Sequence, residues 1–269
     1  MRFTPTGSAL GADVHGVDLS AGLSPRQVAQ IRKGLDRHQV LFFREQPLLD
    51  KAQHLRLASL FGEPEPPPFH NQSNTAPVLD LDQTDPRGSQ AANFHSDNTF
   101  RAEPPIGALL QAHVLPSRGG DTCFASMPAA YAGLSHGMQR YLEGLHAWHS
   151  LGQMAARLSR QGGPALALDA AQYPVFRHPV IARHPSTGRR LLNVNYNWTT
   201  HIEGIPAGES AAILDFLYAH IRRPEYQVRL KWNVGDVAFW DNRATQHYAV
   251  PDYNERRVMQ RVSILPRTI

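Results

Sequence analysis

A single cysteine, Cys123, stands in a chain of 269 residues. It cannot close an internal disulfide, so a covalently stapled scaffold is excluded and a reducing cytoplasm is the expected compartment. No apolar run approaches the roughly 18–20 residues that a membrane-spanning helix requires. The opening stretch MRFTPTGSALGADVHG also lacks the uninterrupted apolar core of a secretory leader. Basic residues are scattered: the net charge is only +4, and arginines adjoin one another only in pairs, at 189–190, 222–223 and 256–257. None of these pairs is interleaved with aromatics, so neither nucleic acid nor a membrane surface is an expected partner. HExxH, paired CxxC, Walker and GxSxG patterns are missing as well, which removes several common enzyme classes. A small anionic ligand met by a few placed arginines suits this balance better.

What is present is sufficient for a sizeable core, with 42% hydrophobic and 19% charged residues. The pattern predicts one β-rich domain over 1–269 with helices packed outside it. Short strands are expected around Gly7 and Gly11, and Ser24-Pro25 opens a helix with Val28, Ile31 and Leu35 on one stripe. Val40-Leu41-Phe42-Phe43 reads as a buried strand, and 51–61 as a helix ending at Gly62. GEPEPPPFHNQSN is a proline-rich surface loop. Strands follow at 106–115 and Thr122–Ser126, flanking the turn SRGGD. Helical spacing returns at 128–134, 138–145 and 208–221. HPVIARHPSTGRRLLNVN has the form of a hairpin, and YQVRLKW, DVAFWD and RVMQRVSIL are strands. Residues 150–173, rich in Gly, Ala and Gln, are expected to form a mobile insert or lid.

Two His-x-acid triplets occur, His95-Ser96-Asp97 and His201-Ile202-Glu203. On an extended strand, residues i and i+2 share a face, so either pair is a potential metal clamp or an ordinary polar strand edge. His201 precedes Pro206 and a helix, which puts it in a connection, lining a pocket or lying on the surface. His95 and Asp97 lie just before a strand–turn–strand block. Downstream, in WDNRATQHYAVPDY, an apolar strand runs into a polar turn containing His247. Beyond it, Arg257, Met259 and Arg261 share one face of a strand. Two arginines on an otherwise apolar face are either solvated or met by anions. Two imidazoles and one carboxylate make up the facial triad of non-haem Fe(II) oxygenases, which leaves coordination positions open for other ligands. A zinc hydrolase using the same triad and a non-catalytic binding protein are the readings from other classes.

Several blocks in order, GADVHGVDLS, RHQVLFFREQ, FGEPE, FHSDNTF, LPSRGGDTCFASM, YQVRLKWNVGD and WDNRATQHYAVPDYNERRVMQRVSIL, make the chain resemble the taurine dioxygenase / 2,4-dichlorophenoxyacetate dioxygenase family. The resemblance implies a mixed α/β (α+β), β-rich fold built on a distorted double-stranded β-helix, or jelly roll. It also implies Fe(II), 2-oxoglutarate as cosubstrate and O2. Carried over by position, His95, Asp97 and His247 are the expected metal ligands. Thr122 and Arg257 are expected to hold 2-oxoglutarate, and Arg261 the anionic group of the substrate. Asn98, through its backbone amide, and His70, near the family's tyrosine position, are further expected substrate contacts. Cys123 is expected to face away from Thr122 into a core. The implied substrate is a small anion, foremost taurine or a related organosulfonate, with an alkyl sulfate or an aryloxyalkanoate as alternatives. The family also implies a homo-oligomer.

Overall fold

The strand Val40–Phe43 is buried at every position, because each face of its sheet is covered by a different layer. The computed structural model describes residues 1–66, 76–86, 89–160 and 175–267. Among them an eight-stranded sheet contains, in order, Arg2–Pro5, Ala12–His15, Val40–Phe43, Val237–Asp241, Gly107–Val114, Arg257–Leu265 and Glu63–Pro64. Leu79–Gln83 also pairs with Arg257–Leu265, opposite Arg257 to Arg261. A smaller sheet holds Gln227–Leu230, Thr122–Ser126 and Thr245–Ala249 in antiparallel register. Phe124 and Leu230 of the small sheet share one apolar cluster with Phe42, Leu110, Ala238, Trp240 and Met259 of the large one. The two sheets therefore pack face to face, and the inward positions of their strands are the ones that can line a site between them.

Helices cover the outer faces. On the large sheet, Ile31 and Leu35 of Pro25–His38 and Leu57 of Lys51–Ser59 pack against Leu41, Phe43, Leu109 and Val262. Pro25–His38 begins as predicted, with Pro25 in the first turn and a reciprocal capping box between Ser24 and Gln27. On the small sheet, Cys123 and Ala125 face outward into a cluster with Met127, Leu214, Leu217 and Ile221. Cys123 is thus a core residue on the face opposite Thr122, as period-two alternation requires. The class is mixed α/β and β-rich, as expected.

One expectation differs, that for His201, and two regular elements were not anticipated. The 150–173 segment opens with a regular helix, Leu151–Arg160, anchored by buried Leu151 and Met154 and by Arg157 stacked 3.7 Å over the Tyr196 ring. Its remainder, 161–173, lies outside the described residues. His201 belongs to a short strand, Thr199–Ile202, rather than a connection; its side chain is exposed and hydrogen-bonds to neighbouring Thr200. Leu79–Gln83 (LDLDQ) is a strand that composition concealed, because its side chains are largely exposed. Among the described residues no helix is long and apolar enough to cross a membrane.

Candidate active site

His95, Asp97 and His247 converge. Their ligand atoms all lie within 4.8 Å of one another, and all three side chains are buried. The tie is local backbone pairing: His95 and His247 form an antiparallel bridge, with each amide donating to the other's carbonyl at 3.1 and 2.9 Å. His247 is carried on Thr245–Ala249, opposite inward-facing Phe124. The convergence of His95 and Asp97 does not come from a regular strand, however. His95 occupies the isolated bridge, and Asp97 begins a turn. Asp97 Oδ1 sits 3.5 Å from His95 Nε2 and 3.8 Å from His247 Nε2.

The donor set suits a divalent cation. His95 Nδ1 lies 2.7 Å from the Asn93 carbonyl, which can only accept, so the proton is on Nδ1 and the Nε2 lone pair faces the cluster. Burial works to raise the Asp97 carboxyl, but Arg261, followed by His247 and His95, outweighs it and holds that carboxyl well below the usual carboxylate range. Burial pushes His247 down to about 3, against the pull of Asp97. An ionised carboxylate beside a neutral imidazole is the protonation state that metal ligation needs.

The loop bearing these ligands is clamped from behind. Asn242 accepts from the Asp97 amide at 2.7 Å and donates to the Asp97 carbonyl at 3.0 Å and the Pro105 carbonyl at 2.9 Å. Trp198 Nε1 donates to the Ser96 carbonyl at 2.7 Å, and Ser96 Oγ donates to the Thr245 carbonyl at 2.8 Å. The residue quoted in WDN was legible as part of a motif, but its role was not: a 145-residue separation hides the contact.

Both expected arginines point inward from Arg257–Leu265. Arg261 Nη2 meets Asp97 Oδ2 at 2.7 Å and Ser263 Oγ at 3.2 Å, while its buried Nε has no hydrogen-bond partner among the described residues. Arg257 is buried; Nε donates to the Gly120 carbonyl at 3.2 Å, and among the described residues Nη2 has no hydrogen-bond partner. Thr122 borders the same turn and receives the Trp232 indole N–H at 3.0 Å. Gly120 has φ +73°, and a Cβ there would come within 3.1 Å of the Arg257 side chain. Only glycine lets the backbone approach this guanidinium in that conformation. Buried cationic donors without partners are costly.

The family profile described as "Taurine catabolism dioxygenase TauD, TfdA family" matches residues 2–263. The chain belongs to this family. As a TauD/TfdA member it is an Fe(II)- and 2-oxoglutarate-dependent dioxygenase, an oxidoreductase. It is 36% identical to the alpha-ketoglutarate-dependent sulfate ester dioxygenase of Pseudomonas putida, over 97% of this chain and 88% of that one. It is 32% identical to an alkylsulfatase of Acinetobacter baylyi, over 95% and 82%. The crystal structure of a taurine dioxygenase from Burkholderia xenovorans superposes with a TM-score of 0.82 at 33% identity, covering 98% of this chain and 90% of the other. The double-stranded β-helix of TauD-type enzymes therefore describes the two-sheet sandwich seen here.

Beside the triad this TauD/TfdA member carries a charge network that sequence reasoning missed. Glu65 follows Glu63–Pro64 and is buried, its amide donating to the Ser263 carbonyl at 2.8 Å. Its carboxylate receives Asn98 Nδ2 at 3.1 and 3.2 Å and pairs with Arg101 Nε at 3.0 Å. Burial raises the Glu65 carboxyl, while Arg101 and Arg261 pull it down. Asn98 adopts φ +49°, a left-handed conformation that asparagine tolerates better than most residues. Its side chain is thus turned onto Glu65. The one available signal was an acidic residue in FGEPE whose neighbours alternate into a strand. His70 lies outside the described residues.

Proposed function

We propose that the protein oxidises a monoanionic organosulfur compound, a sulfate monoester ahead of a sulfonate, at the carbon bearing the sulfur group. The observation that carries this reading is Arg261: a guanidinium held beside Asp97, with an unsatisfied buried Nε, on the strand that also carries Arg257. A sulfo group, with three equivalent oxygens and one charge, suits that fork. The names of the Pseudomonas and Acinetobacter relatives support the ester. Taurine would also bring an ammonium group. The neighbouring carboxylates already have partners: Asp97 sits in the His95/His247 cluster, and Glu65 is engaged by Asn98 and Arg101.

In this reading His95, Asp97 and His247 hold Fe(II), Arg257 and Thr122 hold the far carboxylate of 2-oxoglutarate, and Arg261 holds the substrate anion. Bound there, Fe(II) and 2-oxoglutarate would supply dioxygen activation, 2-oxoglutarate leaving as succinate and carbon dioxide with one oxygen atom and the substrate C–H becoming C–OH with the other. The protein's own share is orientation. Arg261 fixes the anion, so the adjacent carbon is presented to the triad at short range. Trp240, 4.7 Å from His247 and 5.8 Å below the Arg261 guanidinium, walls the pocket against water. A sulfate ester hydroxylated on its O-bearing carbon is a hemiacetal derivative. It collapses by breaking the C–O(sulfate) bond, giving an aldehyde, inorganic sulfate and a proton.

The test is product analysis with Fe(II), 2-oxoglutarate and, in parallel, hexyl sulfate, hexanesulfonate and taurine. Sulfate and succinate should form in equal amounts, with the highest kcat/KM on hexyl sulfate. A higher kcat/KM for sulfite release from taurine would overturn the choice of ester.

A further inference from the structure

The carboxylate of Glu65 accepts from Asn98, the chain neighbour of Asp97, whose Oδ2 meets Arg261 at 2.7 Å, and the mechanism above does not use Glu65. Its backbone amide is bonded to Ser263, the residue whose hydroxyl receives Arg261 Nη2. Glu65 is therefore tied to the arginine's surroundings twice, through its backbone at Ser263 and through its carboxylate at Asn98, the chain neighbour of Asp97. It is almost fully enclosed, with its side chain 1% exposed, whereas its partner Arg101 is 34% exposed and sits toward solvent. Of this pair the enclosed charge is thus the negative one, and the compensating positive charge is partly screened by water.

We propose that Glu65 is a specificity-determining residue that limits the substrate pocket to a single negative charge, accepting sulfate monoesters and rejecting phosphate monoesters of the same size and shape. The inference rests on the sulfate-ester reading above. A sulfate monoester is a monoanion at all ordinary pH values. A phosphate monoester loses a second proton near pH 6, and a second negative charge in an enclosed site beside a fixed carboxylate is repelled in a way that size cannot relieve. Arg101 and Asn98 hold the Glu65 carboxylate in place by three contacts, so it has little freedom to swing away from a bound anion. A merely structural latch between the Glu63–Pro64 strand and the His95–Thr99 loop would affect both ligands alike. A charge filter affects them differently.

The experiment is calorimetric titration of Mn(II)-loaded protein, with 2-oxoglutarate present, by hexyl sulfate and by hexyl phosphate at pH 8. Wild type should bind the sulfate at least about tenfold more tightly. Glu65→Gln should narrow that ratio by about tenfold by strengthening phosphate binding. Arg101→Gln, which leaves Glu65 less compensated, should widen it. Opposite signs in the two variants cannot come from a general loss of folding, and Arg101→Gln alone suffices should Glu65→Gln fail to fold. If hexyl sulfate does not bind wild type at all, the substrate reading and this inference fall together. If hexyl sulfate binds but the ratio is unchanged, or shifts the same way in both variants, the charge filter alone is overturned.

Discussion

Asn242 holds Asp97 from both sides of its backbone, accepting from its N–H at 2.7 Å and donating to its C=O at 3.0 Å. One amide side chain, at the end of an inner strand of the large sheet, thereby fixes the turn on which a proposed metal ligand stands. Side chains behind the ligands commonly decide ligand geometry, and their loss typically costs 10–100-fold in metal affinity. Asn242→Ala should therefore weaken Mn(II) or Fe(II) binding by about tenfold or more. Asn242→Asp keeps the acceptor but loses the donor, and should recover only part of it. Metal titration followed by equilibrium dialysis measures both. Unchanged affinity in Asn242→Ala would mean that the turn is set by Trp198 and Ser96 alone.

The two arginines of Arg257–Leu265 should separate kinetically. Arg257→Ala removes the buried guanidinium at the Gly120 turn and should raise the KM for 2-oxoglutarate by about 10- to 100-fold, the cost of losing a charge-assisted pair. Gly120→Ala should act in the same direction, because its Cβ would crowd Arg257 and its φ of +73° is strained for alanine. Arg261→Ala should raise the KM for the organosulfur substrate instead. Oxygen-uptake kinetics with each ligand varied in turn gives the answer. An Arg261→Ala effect confined to 2-oxoglutarate would reverse the two assignments.

Stability should fall on acidification, partly through His54. Its ring is fully buried, with Nδ1 3.0 Å from Gln260 Oε1, and burial lowers its pKa from 6.5 to about 4. The folded state thus keeps it neutral between these values, while the unfolded chain takes up a proton below about 6.5. The unfolded state binds more protons across that window, so stability rises with pH there and is lost as pH falls toward 4. Between pH 7.5 and pH 5 this one group accounts for a loss on the order of 2 kcal/mol. His54→Asn, which retains a donor for Gln260, should shrink the pH 7.5-to-5 difference in urea-unfolding free energy by about that amount. An unchanged difference would show that His54 does not stay neutral in the fold.

Much of the architecture was legible because its signals are local. VLFF, DVAFWD and RVMQRVSIL are strands through apolar run and alternation, and Ser24-Pro25 with Gln27 starts a helix through hydrogen bonds spanning three residues. That His95, Asp97 and His247 come together was legible as well, though not how: His95 and Asp97 converge through a bridge and a turn rather than along one strand. LDLDQ was not read as a strand although its leucines and aspartates alternate: five residues beside a proline-rich loop are a short signal, and in the fold most of these side chains stay exposed. The Leu151–Arg160 helix was overlooked rather than hidden: Leu151, Met154 and Leu158 recur at helical spacing, but the Gly-, Ala- and Gln-rich composition of 150–173 as a whole masked them.

What the sequence determined by itself is the set of residue types and the order of elements: two imidazoles, a carboxylate and two arginines, on a chain that alternates into strands and folds as a TauD/TfdA dioxygenase. What only the tertiary structure decided is which side chains meet. Glu65 reaches Asn98 across 33 positions, and Asn242 reaches Asp97 across 145. Propensity and periodicity act over a turn of helix or a few residues of strand, so they are silent at those separations. Such contacts exist because two sheets pressed together bury polar groups that must find partners among whatever the opposite layer presents.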